Sequence, residues 1–268
     1  MSKPAIVTAD PWQRLQALTR ARIALGRSGV SLPTREVLRF GTAHAQARDA
    51  VHQALDVAGL QGDLLDAGFA SLAVHSQASD RGTYLRRPDW GRSLAPESTR
   101  LLRDAAPGLW APKPRLALVL ADGLSSLATD SHGLHMLQAL LPYFPDLRSQ
   151  PVIVASQARV ALGDEIGHLL GAEQVVMMIG ERPGLSSPDS LGLYLTAGPR
   201  PGLTDAQRNC ISNVRPEGLS YQDAARKLAF LIAGALKLGH TGVDLKDDSD
   251  TATSLPASAG LHSSLARL

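Results

Sequence analysis

Residues 115–126 read "RLALVLADGLSS": six apolar positions in a row, 116–121, closed by an Asp-Gly pair. An unbroken apolar run of that length, cut by a turn signal, reads as a strand buried on both faces. Two more runs of the same kind follow, "PVIVASQ" at 151–157 and "QVVMMIGE" at 174–181. Between them lie helical stretches, "DSHGLHMLQALLPYF" at 130–144 and "LGDEIGHLLGA" at 162–172, the second with Asp164 and Glu165 in its first turn. Strand, helix, strand, helix, strand in that order predicts an α/β fold with a mostly parallel, Rossmann-like sheet carrying helices on both faces.

Outward from that core the grammar changes. Toward the N-terminus, "WQRLQALTRARIALG" (12–26) and "GVSLPTREVLRFGTAHAQARDAVHQALD" (29–56) carry helical spacing, the latter opening on Ser31 and Pro33. Residues 1–105 are therefore expected to form a helical N-terminal region, and residues 106–243 the Rossmann-like domain. Within the latter, "SYQDAARKLAFLIAGALKLG" (220–239) starts on a Ser220–Asp223 cap and keeps one apolar stripe. Beyond it, residues 244–268 lose all periodicity and read as a mobile tail.

Bulk properties exclude several classes. The 268 residues carry a formal net charge of +2, and 44% are hydrophobic, as in an ordinary globular protein. The longest apolar stretch, "LAFLIAGAL" at 228–236, is far below the roughly 20 residues of a membrane span. No signal peptide is recognisable in "MSKPAIVTADPW", and a single cysteine, Cys210, suits a reducing, cytoplasmic setting. Of the 14 basic residues in 1–105, 13 are Arg, suited to a paired contact surface. Without aromatic interleaving, however, nucleic-acid binding is not expected.

Ligands of open parallel sheets bind beyond the carboxyl ends of the strands. Here those ends are followed by "ADGLSS", "ASQARVALG" and "GERPGLSS". None carries a dinucleotide or P-loop signature. In the third, Gly and Pro would suffice to turn the chain, and Glu181 held between them beside Arg182 reads either as an exposed turn acid or as a ligand-facing residue. "DSHGLH" at 130–135 resembles the Asp-x-His-x-x-Gly string of base-displaced cobalamin proteins, but its sixth residue is His135 and it opens a helix. His132 and His135 lack the further ligands of a zinc site, and no Gly-x-Ser-x-Gly elbow is present. One reading of the strand-end loops alone is a self-sufficient α/β enzyme acting on a phosphorylated small molecule.

Five stretches carry a more specific resemblance: "ARIALGRSGVSLPTREVLRFGTAHAQARDAV" (21–51), "YLRRPDWGRSL" (84–94), "ADGLSS" (121–126), "GDEIGHLLGAEQVVMMIGERPGLSSPDSL" (163–191) and "RNCISN" (208–213). In this order they resemble the small (light) subunits of ethanolamine ammonia-lyase, the adenosylcobalamin-dependent enzyme that converts ethanolamine to acetaldehyde and ammonia. The resemblance implies a hetero-oligomer in which a TIM-barrel large subunit holds the substrate. The small subunit would be non-catalytic and would close over the corrin, with the cobalamin bound base-on at the interface. It implies cofactor contacts at Val160, Glu181 and Cys210 and no metal ligand in this chain. The Arg-rich composition of the N-terminal region, 1–105, makes it the expected contact surface for such a large subunit. A cytoplasmic location is implied, with a bacterial microcompartment as the family's further address. That last address often goes with an N-terminal extension, and this chain begins about 20 residues before the match.

Overall fold

The computed structural model describes residues 6–109 and 114–250. In chain order the elements are α1 (Thr34–His52), α2 (Val57–Asp66), β1 (Ser71–His75), α3 (Arg81–Arg86), α4 (Pro96–Leu109), β2 (Leu116–Ala121) and α5 (Ser126–Leu140). There follow β3 (Val152–Ser156), α6 (Leu162–Leu170), β4 (Gln174–Gly180), β5 (Leu191–Ala197), β6 (Asn209–Val214) and α7 (Tyr221–Leu238). The fold is the expected α/β architecture, built on one six-stranded sheet of order β1-β3-β2-β4-β5-β6.

The three apolar runs form β2, β3 and β4, parallel to one another. Every residue of β2 and β4 is buried, because alternate side chains enter two different cores. Leu118, Leu120, Val154, Val176 and Met178 join Leu64 of α2, Met136 and Leu140 of α5, and Leu228 and Ile232 of α7. Val119, Ile153, Val175 and Met177 join Leu102 of α4 and Leu162 and Ile166 of α6 on the other side. Helix α7 is started by the Ser220 hydroxyl, which accepts the Asp223 N–H at 3.1 Å.

The region 1–105 departs from the all-helical expectation in two places. "SLAVH" (71–75) forms β1, an edge strand parallel to β3; five residues between a loop and a capped helix show too little alternation to stand out. Within 12–26 the regular structure is a 3-10 helix, Gln13–Leu18, with no buried residue. An apolar stripe without a core to face does not sustain an α-helix. Helix α1 forms as expected, yet it buries only Glu36 and Ala50, while Val37, Leu38 and Phe40 stay exposed.

Beyond β4, strands β5 and β6 add an antiparallel pair to the sheet. At the other end of the chain, residues 244–250 open the segment expected to be a tail, yet several of them are held. Leu245 enters the core, and Asp247 and Asp250 pair with Lys227 at 3.2 and 2.8 Å. The remainder of that segment, 251–268, lies outside the described residues. Among the described residues no helix is long and apolar enough to cross a membrane.

Candidate functional site

Strand β2 has β3 on one side and β4 on the other, so the chain reverses its direction of travel across the sheet between β2 and β4. In doubly wound folds that switch point opens a ligand crevice. Here two glycines let the loops after β2 and β4 touch backbone to backbone. A Cβ on Gly180 would stand 1.9 Å from the Ser125 carbonyl oxygen, and one on Gly123 would stand 2.1 Å from the Gly180 oxygen. Gly123 also sits at φ +54°, a conformation costly to residues with a Cβ. The Leu124 N–H donates to the Gly180 oxygen at 2.9 Å, and the Ser125 hydroxyl donates to Pro188 O at 2.7 Å. The loops "ADGLSS" and "GERPGL" are thus interlocked.

The loop after β3 is fixed as tightly. Asp122, fully buried at the end of β2, accepts the Gln157 and Ala158 N–H groups at 2.8 and 3.0 Å and the Arg81 guanidinium at 3.2 Å. Tyr84 donates its hydroxyl to Ala158 O at 2.9 Å, and the guanidiniums of Arg81 and Arg159 both lie over its ring. The stretch "YLRRPDWGRSL" completes the clamp: Arg159 N–H donates to Gly91 O at 2.8 Å, and Leu94 N–H to the Glu165 carboxylate at 2.8 Å.

These braces place the residues expected to meet a cofactor. Val160 follows the clamped loop, half-buried, and packs on the same apolar layer as Tyr194 of β5. Glu181 stands at the end of β4, and its carboxylate lies over Gly192, where an added Cβ would be 3.1 Å from Oε1. It accepts the Asn213 N–H at 3.2–3.3 Å. Asn213 owes that free N–H to a bulge. The pairs Leu193↔Ile211 and Leu191↔Val214 enclose one residue of β5 but two of β6, and Asn213 takes the extra turn at φ +59°. Cys210 sits in β6 itself, opposite Tyr194.

Glu181 and Cys210 are brought into one electrostatic neighbourhood around Tyr194. Lost hydration pushes the Tyr194 hydroxyl well above its ordinary range, with Cys210 and Glu181 adding to the rise. Although Cys210 is exposed on its outer side, lost hydration beneath it raises its thiol too. A hydrogen bond with Tyr194 pulls that thiol down and the Glu181 charge pushes it up. It is therefore a thiol at neutral pH, not an activated nucleophile. Val160 is tied to the same region through α6. Asp164, four residues on, forms a buried pair with Arg208, two residues before Cys210.

Sequence reading missed Tyr194, Asn213 and the Asp164–Arg208 pair. Only "LGLYLTA" offered a signal, its period-2 alternation setting Gly192, Tyr194 and Thr196 on one face. The string "DSHGLH" is structural. His132 is buried in α5, with Nδ1 2.7 Å from the Tyr221 hydroxyl and Nε2 3.5 Å from Asp189. Among the described residues no cluster of three or more His, Cys, Asp or Glu could hold a metal ion.

Fold and site together define a Rossmann-like α/β protein whose loops after β2 and β4 are interlocked at the switch point. Its candidate binding wall lies over the outer strands, framed by Glu181, Tyr194 and Cys210. The family model described as ethanolamine ammonia-lyase light chain (EutC) matches residues 9–246. The chain is 54% identical over 258 residues to the ethanolamine ammonia-lyase small subunit of Azotobacter vinelandii (strain DJ / ATCC BAA-1303), covering 94% of each chain. It is 52% identical over 265 residues to that of Pseudomonas fluorescens (strain Pf0-1), covering 97% of this chain and 95% of the relative. It is 53% identical over 252 residues to that of Xanthomonas campestris pv. campestris (strain B100), covering 93% and 92%. The chain belongs to the ethanolamine ammonia-lyase small-subunit family.

The residues present suit a corrin. Its rim of side-chain amides offers N–H donors, and Glu181 is an acceptor-only carboxylate, half-exposed and already oriented by the bulge. Cys210 offers a small neutral surface beside it. Among the described residues, the nearby Arg159 guanidinium keeps a buried Nε without a hydrogen-bond partner.

Proposed function

We propose that this chain is the cofactor-clamping, non-catalytic subunit of an adenosylcobalamin-dependent ethanolamine ammonia-lyase. It covers one side of the base-on cobalamin while the large subunit supplies the substrate site. When bound, the cofactor supplies the radical chemistry that converts ethanolamine to acetaldehyde and ammonia. Glu181 accepts hydrogen bonds from corrin amides, Val160 and Cys210 make contact, and the interlocked glycine loops hold this surface rigid before binding. Rigid presentation limits the entropy lost on association. The barely covered α1, with Val37, Leu38 and Phe40 exposed, is the surface offered to the large subunit.

The observation that carries this reading is the Glu181 carboxylate, folded over Gly192 onto the β6 bulge beside Cys210. The family model that matches residues 9–246 is that of a light chain, which does not favour the reading as a self-sufficient enzyme for phosphorylated small molecules. The test is adenosylcobalamin affinity of the complex reconstituted with the large subunit. Glu181→Ala weakens it by about 1–3 kcal/mol, as for a lost charge-assisted hydrogen bond. Glu181→Gln, which can still accept from Asn213, separates the cofactor contact from support of the bulge. Unchanged affinity in both variants refutes the assignment.

A further inference from the structure

Arg81 ties together segments that are distant in the chain. It opens α3, whose start is fixed by the Asp80 carboxylate accepting the Thr83 N–H at 2.9 Å. The Arg81 side chain is only 10% exposed. Its Nε donates to the Val51 carbonyl in the last turn of α1 at 2.6 Å. Its Nη1 donates to Asp122 Oδ2 at 3.2 Å and to Gly123 O at 2.8 Å. The Tyr84 ring, its centre 4.8 Å from Cζ, backs the guanidinium. From there the contacts run on to both loops assigned to the cofactor. Asp122 accepts the Gln157 and Ala158 N–H groups of the loop leading to Val160. Gly123 stands against the Gly180 oxygen, and Glu181 follows Gly180 directly.

Apolar burial does little to fix α1, which buries only Glu36 and Ala50 and leaves Val37, Leu38 and Phe40 exposed. A helix so thinly packed takes its orientation from directional polar contacts. At its C-terminal end these are Val51 O with Arg81, and Gln53 O with the Ser126 hydroxyl at 3.0 Å. A cation is also favoured at that carbonyl end. A planar fork of N–H donors reaches diverging acceptors at once, as a lysine ammonium does not. We infer that Arg81 is a positioning residue: it holds α1, the helix offered to the large subunit, in fixed relation to the loops that carry Val160 and Glu181. Docking on α1 thereby places the cofactor wall. The inference rests on the cofactor-clamping reading and adds to it the residue that makes the two surfaces one body. Loosening α1 then costs affinity twice, for the large subunit and for the cofactor that lies between the subunits.

Two variants test it on the complex reconstituted with the large subunit: Arg81→Lys keeps a cation beside Asp122, and Ser126→Ala leaves the Arg81–Asp122 pair intact. Amide exchange in the small subunit, affinity between the subunits without cofactor, and the adenosylcobalamin dissociation constant at saturating large subunit are read well below Tm. Arg81→Lys speeds exchange in the last turn of α1 about tenfold and leaves the β2 and β4 amides unchanged. It weakens subunit affinity about tenfold and raises the cofactor constant about tenfold. Ser126→Ala moves the same quantities in the same direction by about threefold, and it decides alone if Arg81→Lys does not fold. A residue that merely stabilises the fold lowers Tm without moving either affinity, and that outcome overturns the inference. So does a loss confined to subunit affinity, which makes Arg81 an anchor of α1 alone, or one confined to the cofactor, which makes it a brace of the wall alone. Wild-type cofactor affinity in Glu181→Ala and Glu181→Gln, beside losses in both affinities for Arg81→Lys, refutes the Glu181 contact and keeps the coupling. Failure of the wild-type complex to bind adenosylcobalamin overturns both.

Discussion

Asp130 and Arg208 show how single residues carry stability here. Burial pushes the Asp130 carboxyl up to about 6 from 3.8, with the Asp56 charge adding to the rise and the Asp56 N–H opposing it. The folded state thus favours the protonated acid. Below pH 3.8 both states are protonated and nothing is lost; as pH rises toward 6 the unfolded chain ionises first, and stability falls. Asp130→Asn should therefore stabilise the protein above pH 6, by about 1 kcal/mol after allowing for the partly exposed side chain, and have no effect near pH 3. Urea midpoints across that range measure it; a gain that does not grow with pH contradicts the assignment. Arg208 neutralises Asp164 where both are buried. Arg208→Met strands the carboxylate and should cost about 3–5 kcal/mol, much of it recovered by adding Asp164→Asn. A double variant no more stable than the single one would show that the loss is packing, not charge.

At the scale of elements, the β2–α5 and β4–β5 loops behave as one unit. Gly180→Ala places a methyl against the Ser125 oxygen, so the two loops must part. The expected loss is about 2–3 kcal/mol, read as a fall in Tm. Hydrogen exchange should accelerate at Leu124 and Glu181 together, because Leu124 N–H bonds Gly180 O and Glu181 N–H bonds Ser190 O. Protection lost at one and kept at the other would mean that the loops are independent. The β6 bulge is the second device at this scale. It turns a strand N–H sideways toward Glu181, and so brings an acid from β4 across β5.

For the molecule as a whole, the wall is one-sided. Cys210 is open to solvent, and the apolar face of α1 has no core to meet. The isolated chain is therefore expected to bind adenosylcobalamin weakly and to gain at least tenfold in affinity when the large subunit is added. Calorimetry with and without the partner checks this, and tight binding by the lone chain would refute the division of labour.

The amino-acid sequence by itself determined the α/β class, the three central strands and the family, because continuous apolar runs, capped helices and the Gly-Glu-Arg-Pro-Gly turn are local signals. It pointed to Val160 and Cys210 through the resemblance alone, and to Glu181 through its turn as well. The edge strand β1, the antiparallel β5–β6 pair and the exposure of α1 were not legible there. Which neighbours an element finds depends on contacts between distant segments, and no local window contains them. Only the tertiary structure decided that Gly180 serves loop interlocking while Glu181 reaches across to β6. Only it set Glu181, Tyr194 and Cys210 on neighbouring strands, since residues on separate segments share one environment only once the sheet has paired them.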